Sequence, residues 1–183
     1  LMQERGEGKR FSPGINEIFK PFQTCRLEDL KVVFVNNEPS QIAHLNNGLA
    51  ISHNGSLTEQ NEFRAFYDEL KRTVPDNSLL TAELLKWAYQ GVLLLNTSLT
   101  TRVGYTGRHF KLWQPLMNAL FDVLNREENI VWVFFGDNPY FDSIDNETHI
   151  KLRVPELPSE RGGVWQTDVF NKINSYLDKK IVW

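Results

Sequence analysis

The chain has 183 residues, 41% of them hydrophobic and 23% charged, the profile of one globular domain of ordinary size. Its formal net charge of −3 excludes the strongly basic footprint of a protein coated for nucleic acid, although a local basic edge on an acidic body still binds phosphate. A lone cysteine, Cys25, excludes an internal disulfide and a multi-cysteine zinc site, and no apolar run approaches the roughly 20 residues that span a bilayer.

Residues 1–30 read as a polar lead-in punctuated by Gly6, Gly8, Pro13 and Gly14, with a short amphipathic helix over 15–22 ending at Pro21. Residues 32–35 form a short continuous apolar run, the pattern of a strand buried on both faces. Polar residues follow abruptly, and Gly48 to Ser52 reads as a second short strand. Thr58 is placed to cap a helix running to Thr73, with Phe63, Phe66, Tyr67 and Leu70 on one face. Residues 81–89 predict another helix and 91–95 another buried strand, which delivers Asn96 to its carboxyl end. A long helix over 110–124 follows, with Trp113, Leu116, Leu120 and Leu124 on one side and Pro115 near the first turn. Strands over 130–135 and 149–153, a loop over 154–163 and a helix from 167 to 177 complete the chain. Strands alternating with helices predict an α/β fold, three layers α/β/α around a central four-stranded parallel sheet, as one domain over 1–183. In such a sheet the carboxyl ends of the strands hold the ligand site.

With the strands placed, Trp87-Ala-Tyr-Gln-Gly-Val-Leu-Leu-Leu-Asn-Thr-Ser-Leu-Thr-Thr-Arg102 is similar to the Trp-Ala-Arg-Gln-Gly-Val-Leu-Leu-Leu-Asn-Thr-Val-Leu-Thr-Val-Arg segment of the family 1 uracil-DNA glycosylases. Val32-Val-Phe-Val, Gly48-Leu-Ala, Tyr67-Asp-Glu-Leu with Val74-Pro75, Trp113, Gly136 and the ending Ile181-Val-Trp183 fall in register with it. The resemblance covers nearly the whole chain and implies a uracil-DNA glycosylase-like fold, with the family's N-terminal helices expected before Leu1.

The resemblance also implies site positions. The family's water-activating motif, Gly-Gln-Asp-Pro-Tyr-His, falls on Asn36-Asn-Glu-Pro-Ser-Gln41, where only the proline is retained. The catalytic Asp becomes Glu38, one methylene longer, and displacement on the order of 1 Å can lower a rate about 100-fold. The thymine-excluding Tyr becomes Ser40, and the Phe on which uracil stacks becomes Ile51. Asn96 keeps the position that reads the base, and Asn37, Ser40, Ile51 and Asn96 are the implied base pocket. The second motif, His-Pro-Ser-Pro-Leu-Ser, falls on Val154-Pro-Glu-Leu-Pro-Ser159, so the His that steadies the leaving base is Val154 and the intercalating Leu is Pro158. Arg102, Arg108, Pro158, Ser159 and Arg161 are the implied DNA contacts.

Each position has a plainer interpretation. Glu38 can be a solvated loop carboxylate, Asn96 a cap on its strand end, and the loop arginines a solvated rim. The four histidines lack metal-ligand spacing, although His44 or His109 could stand in for the missing His from another loop. Trp165, Tyr140 and Phe141 are candidates for an exposed aromatic surface. Losing the His, the stacking ring and the placed Asp together implies a uracil-DNA-glycosylase-like pseudoenzyme, silent or nearly so, that binds DNA or a replication or repair partner. The alternatives are an active glycosylase with altered base preference and a protein-interaction module without DNA binding. No cofactor, metal or membrane partner is implied, and the location expected is intracellular, cytoplasmic or nuclear.

Overall fold

The computed structural model describes residues 1–41, 43–57, 63–158 and 165–183. Its centre is a four-stranded sheet built from β2 (Val32–Asn36), β3 (Val92–Asn96), β5 (Val131–Phe135) and β6 (Ile150–Val154). The spatial order is β3-β2-β5-β6 and every pairing is parallel. A smaller antiparallel pair joins β1 (Phe11–Ser12) to β4 (Thr101–Arg102).

Parallel strands covered on both faces need apolar residues at successive positions, and alternate side chains then feed opposite layers. Val32, Phe34, Val92, Leu94, Val133 and Phe135 point into one core, shared with α3 (Arg64–Thr73), α4 (Leu85–Ala88) and α6 (Val169–Tyr176). Val33, Val35, Leu93, Leu95, Trp132 and Phe134 point into the other, shared with α2 (Lys20–Thr24) and α5 (Phe110–Leu124). A short helix, α1 (Met2–Gly6), precedes these elements. The three-layer α/β/α arrangement is therefore the one the alternation of elements implies.

Several expectations need correction. Gly48 to Ser52 is not a strand. Gly48 (φ +88°) and Ile51 (φ +60°) both leave the extended region, and a Cβ on Gly48 would lie 2.0 Å from the carbonyl oxygen of Glu17. The segment still reaches the sheet through one bond, from the Ala50 N–H to the Leu94 carbonyl. The helix expected over 81–89 shortens to α4 because Leu84 is left-handed (φ +51°). Pro21 sits in the first turn of α2 and starts that helix rather than ending it. Helix α5 keeps its expected bounds, but Pro115 lies inside it, and the buried residues are Trp113, Met117, Phe121 and Leu124. Leu116 is 41% exposed, so the inward face is rotated by about one residue from the expected one. The expected cap Thr58 lies outside the described residues.

The chain passes from β2 to β3 on one side of the sheet and later returns to place β5 on the other. Ligands bind beyond the strand ends at such a reversal of direction. Here the residues delivered to that edge are Asn36 from β2, Asn96 from β3, Phe135 from β5 and Val154 from β6.

Candidate functional site

A cavity of about 460 Å³ opens at the carboxyl ends of β2 and β5. Asn37, Glu38 and Ser40 line it together with Pro158, the position implied as a DNA contact, and Asn36, Phe63 and Phe135 join them. A second cavity of about 330 Å³ lies beside it and shares Asn37 and Phe110 with the first.

Glu38 is a half-buried carboxylate held by donors. The Thr101 hydroxyl donates to its Oε2 at 2.9 Å, and the Gly107 N–H lies 3.0 Å from Oε2 and 3.2 Å from Oε1. Gln41 braces this arrangement, donating to the Thr101 hydroxyl at 2.8 Å and accepting from the Gly104 N–H at 2.8 Å. Donors across the strand ends thus take up the longer side chain and hold the acid at the cavity wall. A placed carboxylate of this kind can orient water or face a developing positive charge.

Asn37 is oriented by a chain of donors. The Tyr140 N–H donates to Asn138 Oδ1, so the other end of the Asn138 amide is its nitrogen, and that nitrogen donates to Asn37 Oδ1 at 3.0 Å. Asn37 is left with its Nδ2 as a donor, with no partner among the described residues. Its main-chain carbonyl accepts from the Ser98 N–H and the Thr97 hydroxyl, which locks the turn after β2 to the turn after β3.

Asn96 is 1% exposed and does not itself line the cavity. It sits behind Asn36, whose Nδ2 donates to Asn96 Oδ1 at 2.9 Å, and its own Nδ2 is buried without a partner among the described residues. A strand-end cap with both amide arms satisfied would not leave that donor free.

Other expected site residues fall elsewhere. Ile51 is 1% exposed in the core, with its carbonyl accepting from the Tyr67 hydroxyl, and it does not line the cavity. The aromatic residues there are Phe63, Phe110 and Phe135, the last stacked on Trp165 at 5.7 Å. Trp165 is therefore core, its indole N–H donating to the Pro155 carbonyl, and not an exposed platform. Tyr140 stacks on Phe121 at 4.4 Å, while Lys151 and Arg153 cover the ring of Phe141, so these residues form no bare aromatic patch. Val154 is buried at its strand end, where its carbonyl accepts from the Gly136 N–H, and its side chain offers no donor. Nor does His109 replace the missing His. Thr100 occupies its Nδ1 and Glu4 its Nε2, each at 2.9 Å, and the ring is buried away from the cavity lining. His44 is exposed and also outside the lining.

On the rim, Arg108 is exposed and carries no ion pair among the described residues, whereas Arg102 lies 4.3 Å from the ring of Tyr105. Arg153 pairs with Asp137 at 2.8 Å. Ser159 and Arg161 lie outside the described residues. Among the described residues no cluster of three or more His, Cys, Asp or Glu could hold a metal, and no helix is long and apolar enough to cross a membrane. Asn36, Asn138, Phe63 and Phe135 are the site residues that motif matching missed. Asn36 falls on the glycine of the motif, and the others are brought in by pairing and packing at long sequence range.

No protein-family model matches the chain. Among individual relatives, the uracil-DNA glycosylase of Acinetobacter baylyi is 31% identical over 184 residues, 97% of this chain and 78% of that protein. That of Haemophilus influenzae is 32% identical over 194 residues, 98% of this chain and 87% of the relative. The crystal structure of mimivirus uracil-DNA glycosylase superposes with a TM-score of 0.83 at 19% identity, covering 99% of this chain and 77% of that one. These relatives overturn the expectation of a silent pseudoenzyme, because proteins named uracil-DNA glycosylase match this chain almost from end to end. Counting lost motif residues by position misled because it took each role to be tied to one place in the chain. It left no room for Glu38 to be held at the cavity wall by residues 63 and 69 positions away.

Proposed function

This chain belongs to the uracil-DNA glycosylase family, and from that premise we propose that it hydrolyses the N-glycosidic bond of uracil or a modified pyrimidine in DNA. The observation that carries the proposal is Glu38, an acid anchored by donated hydrogen bonds at the wall of a cavity large enough for a flipped base. Glycosidic cleavage needs charge stabilised at both ends of the breaking bond. As the C–N bond lengthens, positive charge grows on the sugar and negative charge on the base. The Glu38 carboxylate meets the first and orients the water that adds to the sugar carbon. That water releases a proton, and the departing base anion takes one up.

The Asn37 Nδ2 meets the second charge. It is a neutral donor at the cavity wall, aimed by the Asn138 amide. Phe63 and Phe135 supply apolar ring surface for the base in place of Ile51. Ser40 is small where the family has a Tyr, which leaves room for a substituent on the pyrimidine and supports an altered base preference. Pro158 at the cavity mouth is suited to filling the gap a flipped base leaves in the duplex, with Arg108 on the rim for phosphate.

Release of free base from oligonucleotides carrying uracil, thymine or a 5-substituted uracil tests this reading. Uracil release is expected, with the substituted bases accepted as well. A parent protein that releases none of them refutes it.

A further inference from the structure

Arg102 and Tyr105 close a turn in which the Tyr105 N–H donates to the Arg102 carbonyl at 2.9 Å. Three further bonds fasten this turn to the body of the protein. The Val103 N–H donates to the Arg10 carbonyl at 3.0 Å, the Gly104 N–H to Gln41 Oε1 at 2.8 Å, and the Gly107 N–H to the Glu38 carboxylate. Gly104 (φ +81°) and Gly107 (φ +71°) supply the left-handed positions that this path needs. Tyr105 is nevertheless 55% exposed, a large ring held out to solvent on a pinned support. It belongs to neither hydrophobic core, so packing does not account for it. The Arg102 guanidinium lies over one face, 4.3 Å from the ring centroid, which leaves the opposite face and the edge to the surroundings.

The ring also stands in the right place. Thr106, the next residue, lines the cavity proposed for the flipped base, and consecutive Cα atoms are about 3.8 Å apart. Arg108 is exposed on the same turn, and neither arginine is in an ion pair among the described residues. A free aromatic face between two guanidinium groups matches what a single strand of DNA presents, an unstacked base between phosphates. We infer that Tyr105, backed by Arg102, is a stacking subsite for the unpaired base next to the flipped nucleotide. A paired neighbour in a duplex stays stacked within its own helix and has no face to offer. Because the turn is already pinned, stacking on it orders little more than two side-chain torsions. The inference rests on the glycosylase reading for the position of the flipped base, and adds to it a residue outside the segments that carry the family resemblance.

The test is equilibrium binding of the parent, Tyr105→Ala and Tyr105→Trp to a uracil-free oligothymidine and to a duplex of equal length, at one low salt concentration. Base release from uracil-containing DNA is measured separately on the same preparations. Tyr105→Ala is expected to weaken single-strand binding roughly 10- to 100-fold and duplex binding by less than threefold. Tyr105→Trp keeps an aromatic face and is expected to bind the single strand within threefold of the parent, with its added indole fluorescence quenched by the stacked base. The ratio of single-strand to duplex binding is read within each variant, so a partly folded preparation leaves it unchanged. Tyr105→Ala with single-strand binding within roughly threefold of the parent overturns the inference. So does an equal loss on both probes, or a parent that does not bind the single strand. If that parent or variant result comes with release of uracil, the glycosylase reading stands while the inference falls. A parent that binds the single strand through Tyr105 yet releases no base sinks the glycosylase reading and supports the inference.

Discussion

Glu38→Gln separates chemistry from folding at the centre of the proposed site. The glutamine keeps the length of the side chain and removes its charge. Its oxygen can still accept from the Gly107 N–H, now 3.0–3.2 Å away. Its nitrogen can donate to the Thr101 hydroxyl, which retains a lone pair beside the bond it accepts from Gln41. Stability should therefore change by less than about 1 kcal/mol. Turnover should not be spared. A positioned acid or base contributes on the order of 10²–10⁴-fold, about 3–5 kcal/mol of barrier, and the amide supplies neither negative charge nor basicity. Glu38→Asp is the second arm. It restores the family's residue but withdraws the carboxylate by one C–C bond, about 1.5 Å, away from Gly107. A loss of about 100-fold is expected. The assay is single-turnover uracil release, with thermal unfolding of each variant alongside. Activity of Glu38→Gln within roughly threefold of the parent refutes the role given to Glu38. A Glu38→Asp variant faster than the parent refutes the claim that the longer acid is correctly seated here.

Asn37→Ala removes the donor proposed for the departing base, and kcat is expected to fall on the order of 10²-fold with KM little changed; a loss confined to KM counts against that role. Glu69 buries its carboxylate, which alone would raise its pKa, but the Arg72 guanidinium and the N–H groups of Thr167 and Asp168 outweigh burial and hold it below the ordinary 4.5. Its contribution to stability is therefore fully present above that pH and lost progressively as pH falls further, and Glu69→Gln should flatten the acid limb of a Tm–pH curve. An unchanged limb contradicts this. Burial pushes the Cys25 thiol up to about 12, with the nearby Asp29 charge adding to it. At pH 8 only about one molecule in 10⁴ carries the thiolate, so native protein should react with a thiol reagent far more slowly than unfolded protein.

Three of the four central strands were legible because a parallel sheet covered on both faces demands apolar runs, which residues 32–35, 91–95 and 130–135 supply, while the edge strand β6 showed only a weak alternation. Gly48 to Ser52 has the same apolar composition, but its left-handed residues are a matter of three-dimensional closure against Glu17, which composition does not carry. The inward face of α5 was misjudged because Leu116 and Met117 are neighbours that both suit a core, and tertiary packing alone chose Met117. Motif register pointed to Asn37 and Ser40 for the base pocket, and both line one cavity with Glu38 and Pro158, whereas Ile51 and Asn96, implied beside them, do not. It could not supply the anchoring of Glu38 by Thr101 and Gly107, since those contacts cross dozens of residues. Nor could it single out Phe63 and Phe135 among twelve phenylalanines.

The most direct test of the account is uracil release by the unmodified chain from single- and double-stranded uracil-containing DNA, with enzyme in excess over substrate. Free uracil and alkali-labile abasic sites should appear on both substrates, faster than with Glu38→Gln. Intact DNA after prolonged incubation with folded protein would contradict the account at its root.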